Sequence, residues 1–352
     1  TAVQLSILLG LAFAAVSLLF TDPLVGFFKL EGAKTILDAK IYMRITCGLI
    51  LFSFLNLTLT GLYTAQGDSK TPFVANFIGL LINLLLDPLL ILGVGPFPRI
   101  EVAGAAVATV SAQFVVMFVM MVGVFRSKKE ENVLKGIRLF EPFSKEELGN
   151  ICKIGGPTAI QGMVYCMISM VLTRMVAAFG AEAIATQRVG GQIESVSWNT
   201  ADGFSSALNA FVAQNYGAGK IDRVKKGMWV TITMGLIYTI TTGILLLVFS
   251  DPLMRLFTND DAVVAYGELA MKYFCPFYFI LSIMHGLAGT IRGAGKSVPP
   301  MVVLLTSLCL FRIVWIQFIL PTFHDIDGIF VLYPVSWAFG AALMVLYAWK
   351  GK

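Results

Sequence analysis

The chain has 352 residues, 57% of them hydrophobic and 13% charged, with a formal net charge of +5 and a mean hydropathy of +0.81. Soluble domains carry about 25% charged residues, so a protein that folds in water is excluded. The two histidines, His285 and His324, leave little room for a His-based metal site or a catalytic triad.

In chain order, apolar runs long enough to cross ~30 Å of hydrocarbon fall near 3–20, 42–66, 73–94, 103–125, 148–178, 184–214, 228–249, 266–291, 300–321 and 328–349. They predict an all-α polytopic membrane protein with about ten spans. Cys47, Cys152, Cys166, Cys275 and Cys309 lie in or beside these runs. None has metal-ligand or redox spacing, so they read as buried thiols. Most of the Lys and Arg fall in one set of loops, around Lys70, between Arg126 and Lys153, between Lys220 and Lys226, at Arg292 and Lys296, and at the carboxy terminus. The positive-inside rule makes that side, and the carboxy terminus, cytoplasmic.

Two signatures recur. Phe20-Thr21-Asp22-Pro23-Leu24 returns as Phe249-Ser250-Asp251-Pro252-Leu253, and the turn Gly67 to Pro72 returns as Gly295 to Pro300. A duplicated set of membrane helices with parallel repeats is a transporter plan. The expected organisation is an amino-terminal lobe at 1–126, a cytoplasmic linker at 127–146 and a carboxy-terminal lobe at 147–352. The fifth and sixth runs have no partners ahead of residue 1. The chain therefore reads as two pseudo-symmetric helical lobes holding about ten of twelve helices, with two absent from the first lobe.

An ionisable group inside a span is costly and marks a functional candidate. Asp87 follows Asn83 by four residues, so both share a helix face. Pro88 has no amide hydrogen and frees the carbonyl of Leu84. Carboxylate, amide oxygen and carbonyl suit a hard cation or a titrating proton. A kink acid that only satisfies backbone groups is the competing reading. Against it, Trp315 stands at the Asp87 position of the second repeat. The sixth run holds Gln187, Arg188, Gln192, Glu194, Asn199, Asp202 and Asn209. Glu194 and Asp202 lie near one face, as in an acid-lined cavity for cationic amphiphiles. Interhelical hydrogen bonding plus an ion pair to Arg188 explains them as well. Gln161 is a further, weaker cavity candidate, and His285 reads as a packed helix residue. The sequence has no HExxH, no GxSxG and no P-loop spacing at its Gly-Lys turns, so no enzyme is expected.

The patterns Gly-x-x-x-Ala-x-Gly-Asp-Ser-Lys-Thr-Pro (61–72), Asn-x-x-x-Asp-Pro (83–88), Val-Ala-Gly-Ala-Ala-Val-Ala-Thr (102–109), Ala-Gln-Asn-Tyr-Gly-Ala-Gly (213–219) and Arg-Gly-Ala-Gly-Lys (292–296) together resemble the multidrug and toxic compound extrusion (MATE) transporters, in their DinF-like bacterial branch. The resemblance implies two six-helix lobes around a central cleft, with efflux driven by inward Na⁺ or H⁺. It implies a cation site at Asp87, Asn83 and Thr109. The other bacterial branch places acids where this chain offers Gln161 and His285.

The expected function is export of cationic or amphipathic compounds by Na⁺ or H⁺ antiport with alternating access. The substrate cavity is expected at Gln161, Gln187, Gln192, Glu194, Asn199 and Asp202. No cofactor and no nucleic-acid partner are expected. The protein is expected to be a multi-pass monomer of a bacterial plasma membrane. A lipid-linked oligosaccharide flippase and an inactive fragment are the alternatives.

Overall fold

A computed structural model describes residues 1–27, 32–126, 142–176, 181–323 and 327–350, with the side chains of 175, 181–184 and 194 excepted. Most of the expected 127–146 linker lies outside these residues. The described residues are helical, with no strand among them. Eight helices are long and apolar enough to cross a membrane, or nine with one bent pair. The chain divides into two compact units after Gly149, close to the expected boundary at 147.

In the first unit, α1 (Ala2–Leu19) and the short α2 (Thr21–Phe27) lead to α3 (Ala33–Gly48) and α4 (Leu51–Ala65). The last two are bent by 42° at their junction and together make one broken span. The hairpin α5 (Lys70–Leu92) and α6 (Glu101–Arg126) completes the unit. Small residues let that hairpin close. A Cβ at Gly79 would meet the Ala112 carbonyl and Val116, and one at Gly104 would meet the backbone of Leu90 at 2.7 Å.

The second unit holds α7 (Lys145–Val176) beyond its first turns, and α8 (Ala181–Gly217), then repeats the plan of the first. α9 (Ile221–Val248) and the short α10 (Ser250–Arg255) precede α11 (Asp261–Phe274) and α12 (Tyr278–Gly293), with a 3₁₀ turn at Cys275–Phe277 between these two. α13 (Val298–Leu305), α14 (Phe311–Val314) and two π-helical turns, Thr306–Leu310 and Trp315–Ile319, form the counterpart of α5. α15 (Asp327–Lys350) matches α6. α8 carries amides and charges along its length and is less apolar than the eight spans, and it packs on α9, α11 and α12.

The repeat reaches the backbone dihedrals. Phe20 ends α1 at φ −107°, ψ 22°, and Phe249 ends α9 at φ −105°, ψ 22°. Gly67 and Gly295 turn at φ 82° and 81°. Asp68 N donates to the Tyr63 carbonyl at 3.0 Å, and Lys296 N to the Ile291 carbonyl at 3.1 Å. The caps then diverge. Asp68 accepts from the amides of Lys70 and Thr71, whereas the second repeat starts its helix with proline, which needs no amide partner. Asp22 pairs with Lys40 at 2.7 Å, which holds its carboxyl below the usual range. Asp251 bonds instead to Arg255 at 2.9 Å.

The cysteines only half follow expectation. Cys275 and Cys309 are buried, but Cys152 and Cys166 are exposed, because α7 turns most of its residues outward from its own unit.

Candidate functional site

In the first unit, α5 turns Pro72, Ala75 and Gly79 inward. Asn83 and Asp87 continue that row at helical spacing, ahead of Leu90 on Gly104. Both are half-buried. The Asn83 amide nitrogen is buried with no hydrogen-bond acceptor. An unmade bond of this kind costs about 1–3 kcal/mol. Leu84, whose carbonyl Pro88 frees, lies on the exposed face. Thr109 is half-buried on α6, four residues before Gln113. Asn56 donates to the Gln113 side-chain oxygen at 2.6 Å and to its carbonyl at 2.8 Å. Thr109 thus lies on the flank of α6 that looks towards α4, at a level near Asn83. No hydrogen bond joins Asn83, Asp87 and Thr109 among the described residues.

The second unit fills the same positions with apolar bulk. In the register where Gly340 lies on Ser307 as Ala112 lies on Gly79, Phe311, Trp315 and Trp337 replace Asn83, Asp87 and Thr109, and Met284 and Ala341 replace Asn56 and Gln113. Trp315, Trp337, Met284 and Ala341 are buried. At these positions the polar set belongs to the first repeat, while the second keeps its buried polar groups elsewhere, at Arg312 and Ser336.

The second unit has its own cavity, of about 410 Å³, lined by Gln161, Tyr165, Trp198, Asn199, Asp202 and His285, with leucines below. Asp202 is its acid, with a side chain 69% exposed, and its Oδ1 lies 4.0 Å from His285 Nδ1. That is too long for a hydrogen bond. Trp198 stands edge-on to His285 at 5.7 Å and tilted to Tyr165 at 6.4 Å. Arg292 Nη2 donates to Gln161 Oε1 at 2.7 Å, which turns the Gln161 amide group into an anchored wall. His285 Nε2 is buried without a partner.

Three expected cavity residues, Gln161, Asn199 and Asp202, are therefore together. Gln187 is not with them. It lines a smaller cavity with Thr186, Phe274 and Phe330, roughly 22 Å along α8 from Asp202 at ~1.5 Å per residue. Gln192 is exposed, and the Glu194 side chain lies outside the described residues. Arg188 is exposed and forms no ion pair among the described residues. Sequence reasoning missed Tyr165 and Trp198, since aromatic residues in a membrane protein carry no positional signal. It missed the Asn56–Gln113 bond, although two amides inside apolar runs were readable. His285 was expected to be packed. It is packed, and it is also a cavity wall. No cluster of His, Cys, Asp or Glu suited to a metal occurs among the described residues.

A family model described as MatE matches residues 1–89 and 157–316. The chain belongs to the MatE family. Its members are transporters, not enzymes. A probable multidrug resistance protein NorM from Thermotoga maritima is 28% identical over 99% of this chain and 75% of that relative. An FAD transporter from Shewanella oneidensis is 29% identical over 93% of this chain and 71% of that relative. The structure of a MOP superfamily transporter from Pyrococcus furiosus matches with a TM-score of 0.89 at 18% identity, over 98% of this chain and 76% of that one. At that identity the match speaks for the fold alone. This MatE protein is thus a polytopic all-α membrane transporter for small compounds, and the helix order and repeated turns above are its architecture.

Proposed function

We propose that this MatE transporter exports cationic amphipathic compounds in exchange for Na⁺ or H⁺, by alternating access. It belongs to the DinF-like branch and works as a monomer in a bacterial plasma membrane, with its carboxy terminus in the cytoplasm. Cargo binds in the second-unit cavity. Its size falls in the range of drug-sized sites, and the observation that carries the reading is the exposed Asp202 carboxylate between aromatic walls. A lipophilic cation gains from both, through charge and through the faces of Trp198 and Tyr165. One relative is described as an FAD transporter; the Asp202 carboxylate in this cavity argues against an anionic cargo here.

Coupling lies in the first unit. Asp87 is the cation- or proton-binding carboxylate, with Asn83 and Thr109 as neutral oxygen ligands. An ion drives transport only if it binds the two conformations of the transporter unequally. The placement of Asn83 and Asp87, both half-buried and four residues apart on one face of α5, supports the reading. Efflux of a fluorescent lipophilic cation from proteoliposomes, under an imposed Na⁺ or H⁺ gradient, tests both parts. Asp202→Asn is expected to weaken cargo binding with coupling intact. Asp87→Asn is expected to retain cargo binding and lose the response to the gradient. Equal cargo affinity in wild type and Asp202→Asn would remove the cargo assignment.

A further inference from the structure

A second, larger cavity of about 640 Å³ lies between α8 and α9 and plays no part in the transport scheme above. Its mouth carries Arg223 and Lys226, and its walls are apolar, with Phe204, Phe211, Val230 and Met234 among them. Neither cation forms an ion pair among the described residues, and Lys220 and Lys225 stand beside them with Asp222 as the nearby acid. Gly227 makes the floor possible. A Cβ there would sit 2.2 Å from the Phe211 ring, so the missing side chain lets that ring approach α9. Val230 and Met234 are about half exposed. From Arg223 to Met234 the groove runs about 16 Å along the helix, close to one leaflet of a ~30 Å hydrocarbon core.

We propose that this groove binds one anionic phospholipid. The phosphodiester sits between Arg223 and Lys226, and an acyl chain lies along Phe211, Val230 and Met234. The two ends match in chemistry. Unpaired cations at the rim of a membrane helix attract anionic headgroups, and the apolar slot below has the depth of a chain. A cargo site at this place would leave the cations facing a cationic compound, so the groove is distinct from the Asp202 cavity. The assignment does not depend on what the protein transports.

The test uses the full chain in nanodiscs of phosphatidylcholine, alone or with phosphatidylglycerol. Retained lipid is counted by native mass spectrometry at fixed temperature, and thermal unfolding is followed in parallel. The expected result is preferential retention of phosphatidylglycerol and a higher unfolding midpoint. Both should be lost in Arg223→Gln/Lys226→Gln, with retention weaker by about tenfold or more. Both should also be lost in Val230→Trp, which fills the slot and keeps the charges. The variant Lys70→Gln/Lys296→Gln, which removes the same charge from other turns, should behave as wild type. Inorganic phosphate added to phosphatidylcholine discs should not reproduce the effect. The proposal is overturned if the Arg223/Lys226 variant still prefers phosphatidylglycerol. It is equally overturned if Val230→Trp keeps the preference, which would mean surface charge alone, or if free phosphate suffices.

Discussion

Gly61 in α4 and Gly289 in α12 hold the same place in the two repeats, yet their surroundings differ completely. A Cβ at Gly289 would meet the Ser205 carbonyl of α8 at 2.6 Å, while one at Gly61 would meet nothing within 4 Å. The difference extends along the helices. α11 and α12 bury a long row of residues against α8 and α15, whereas α3 buries none and α4 only Asn56, Leu59 and Tyr63. The repeat therefore dictates where helices bend and turn, but burial depends on which helices lie alongside. In the first unit α1, α5 and α6 pack on α4, and among the described residues none reaches the Gly61 side. Side-chain polarity at these places follows the same divide. One repeat keeps a polar interior at Asn56, Asn83, Asp87, Thr109 and Gln113, and the other packs the corresponding places with aromatic and aliphatic side chains.

The largest effect should come from exchanging character between the repeats. Asp87→Trp copies the second repeat into the first and should abolish gradient-driven efflux, as Asp87→Asn should without any change of bulk. Surface expression and unfolding of Asp87→Asn should match wild type. Efflux at the normal rate in that variant would remove Asp87 from the coupling step. The reverse exchange, Trp337→Thr, should fail by a different route. Trp337 is fully buried among Trp198, Phe274, Tyr278 and Tyr333, and truncating a core aromatic costs about 3–5 kcal/mol. Thermal unfolding should report that loss before any transport assay does. If Trp337→Thr unfolds like wild type, the second repeat has no need of its aromatic filling.

Much of this plan was legible in the sequence, for identifiable reasons. Long apolar runs and Gly-Pro turns gave the spans, and the paired signatures gave the repeat. The bent entry of α3 was not legible. Its first half carries Lys34, Asp38 and Lys40, so a search for apolar runs starts the span at 42 while the helix starts at Ala33. The π-helical turns flanking Phe311 to Val314 have no composition signal either. Arg312, fully buried between them, bonds Ser336 at 3.1 Å and stacks on Tyr333 at 4.5 Å. For the second-unit cavity, polar residues in apolar runs picked out Gln161, Asn199 and Asp202, which line it together. They could not tell Gln187 from these, because three-dimensional grouping along a 37-residue helix depends on what packs beside each turn.

Smaller effects separate the two α4-like helices. Gly289→Ala forces a methyl against a backbone carbonyl of α8 and should destabilise by about 1–3 kcal/mol. Gly61→Ala meets open space and should be neutral or slightly stabilising, since alanine favours helix by ~1 kcal/mol over glycine. The unfolding midpoints of the two variants should therefore move in opposite directions. Equal destabilisation would show that something packs on Gly61 in the membrane.

The smallest expected effect tests the likeness of the repeats. Gly67 and Gly295 share a left-handed φ, of 82° and 81°, and a Cβ added at Gly295 would meet no atom within 4 Å. The cost of alanine at Gly295 is backbone strain alone, about 1–2 kcal/mol for a side chain in that region, and the shared φ sets the same strain at Gly67. Asparagine tolerates the same conformation better. Gly67→Ala and Gly295→Ala should thus lower stability by equal amounts, with Gly→Asn milder in both, although the helices that follow are capped by Asp68 in one case and started by proline in the other. If the two alanine variants differ widely, the caps and not the turns set the stability of each hairpin, and the repeat is one of sequence more than of energetics.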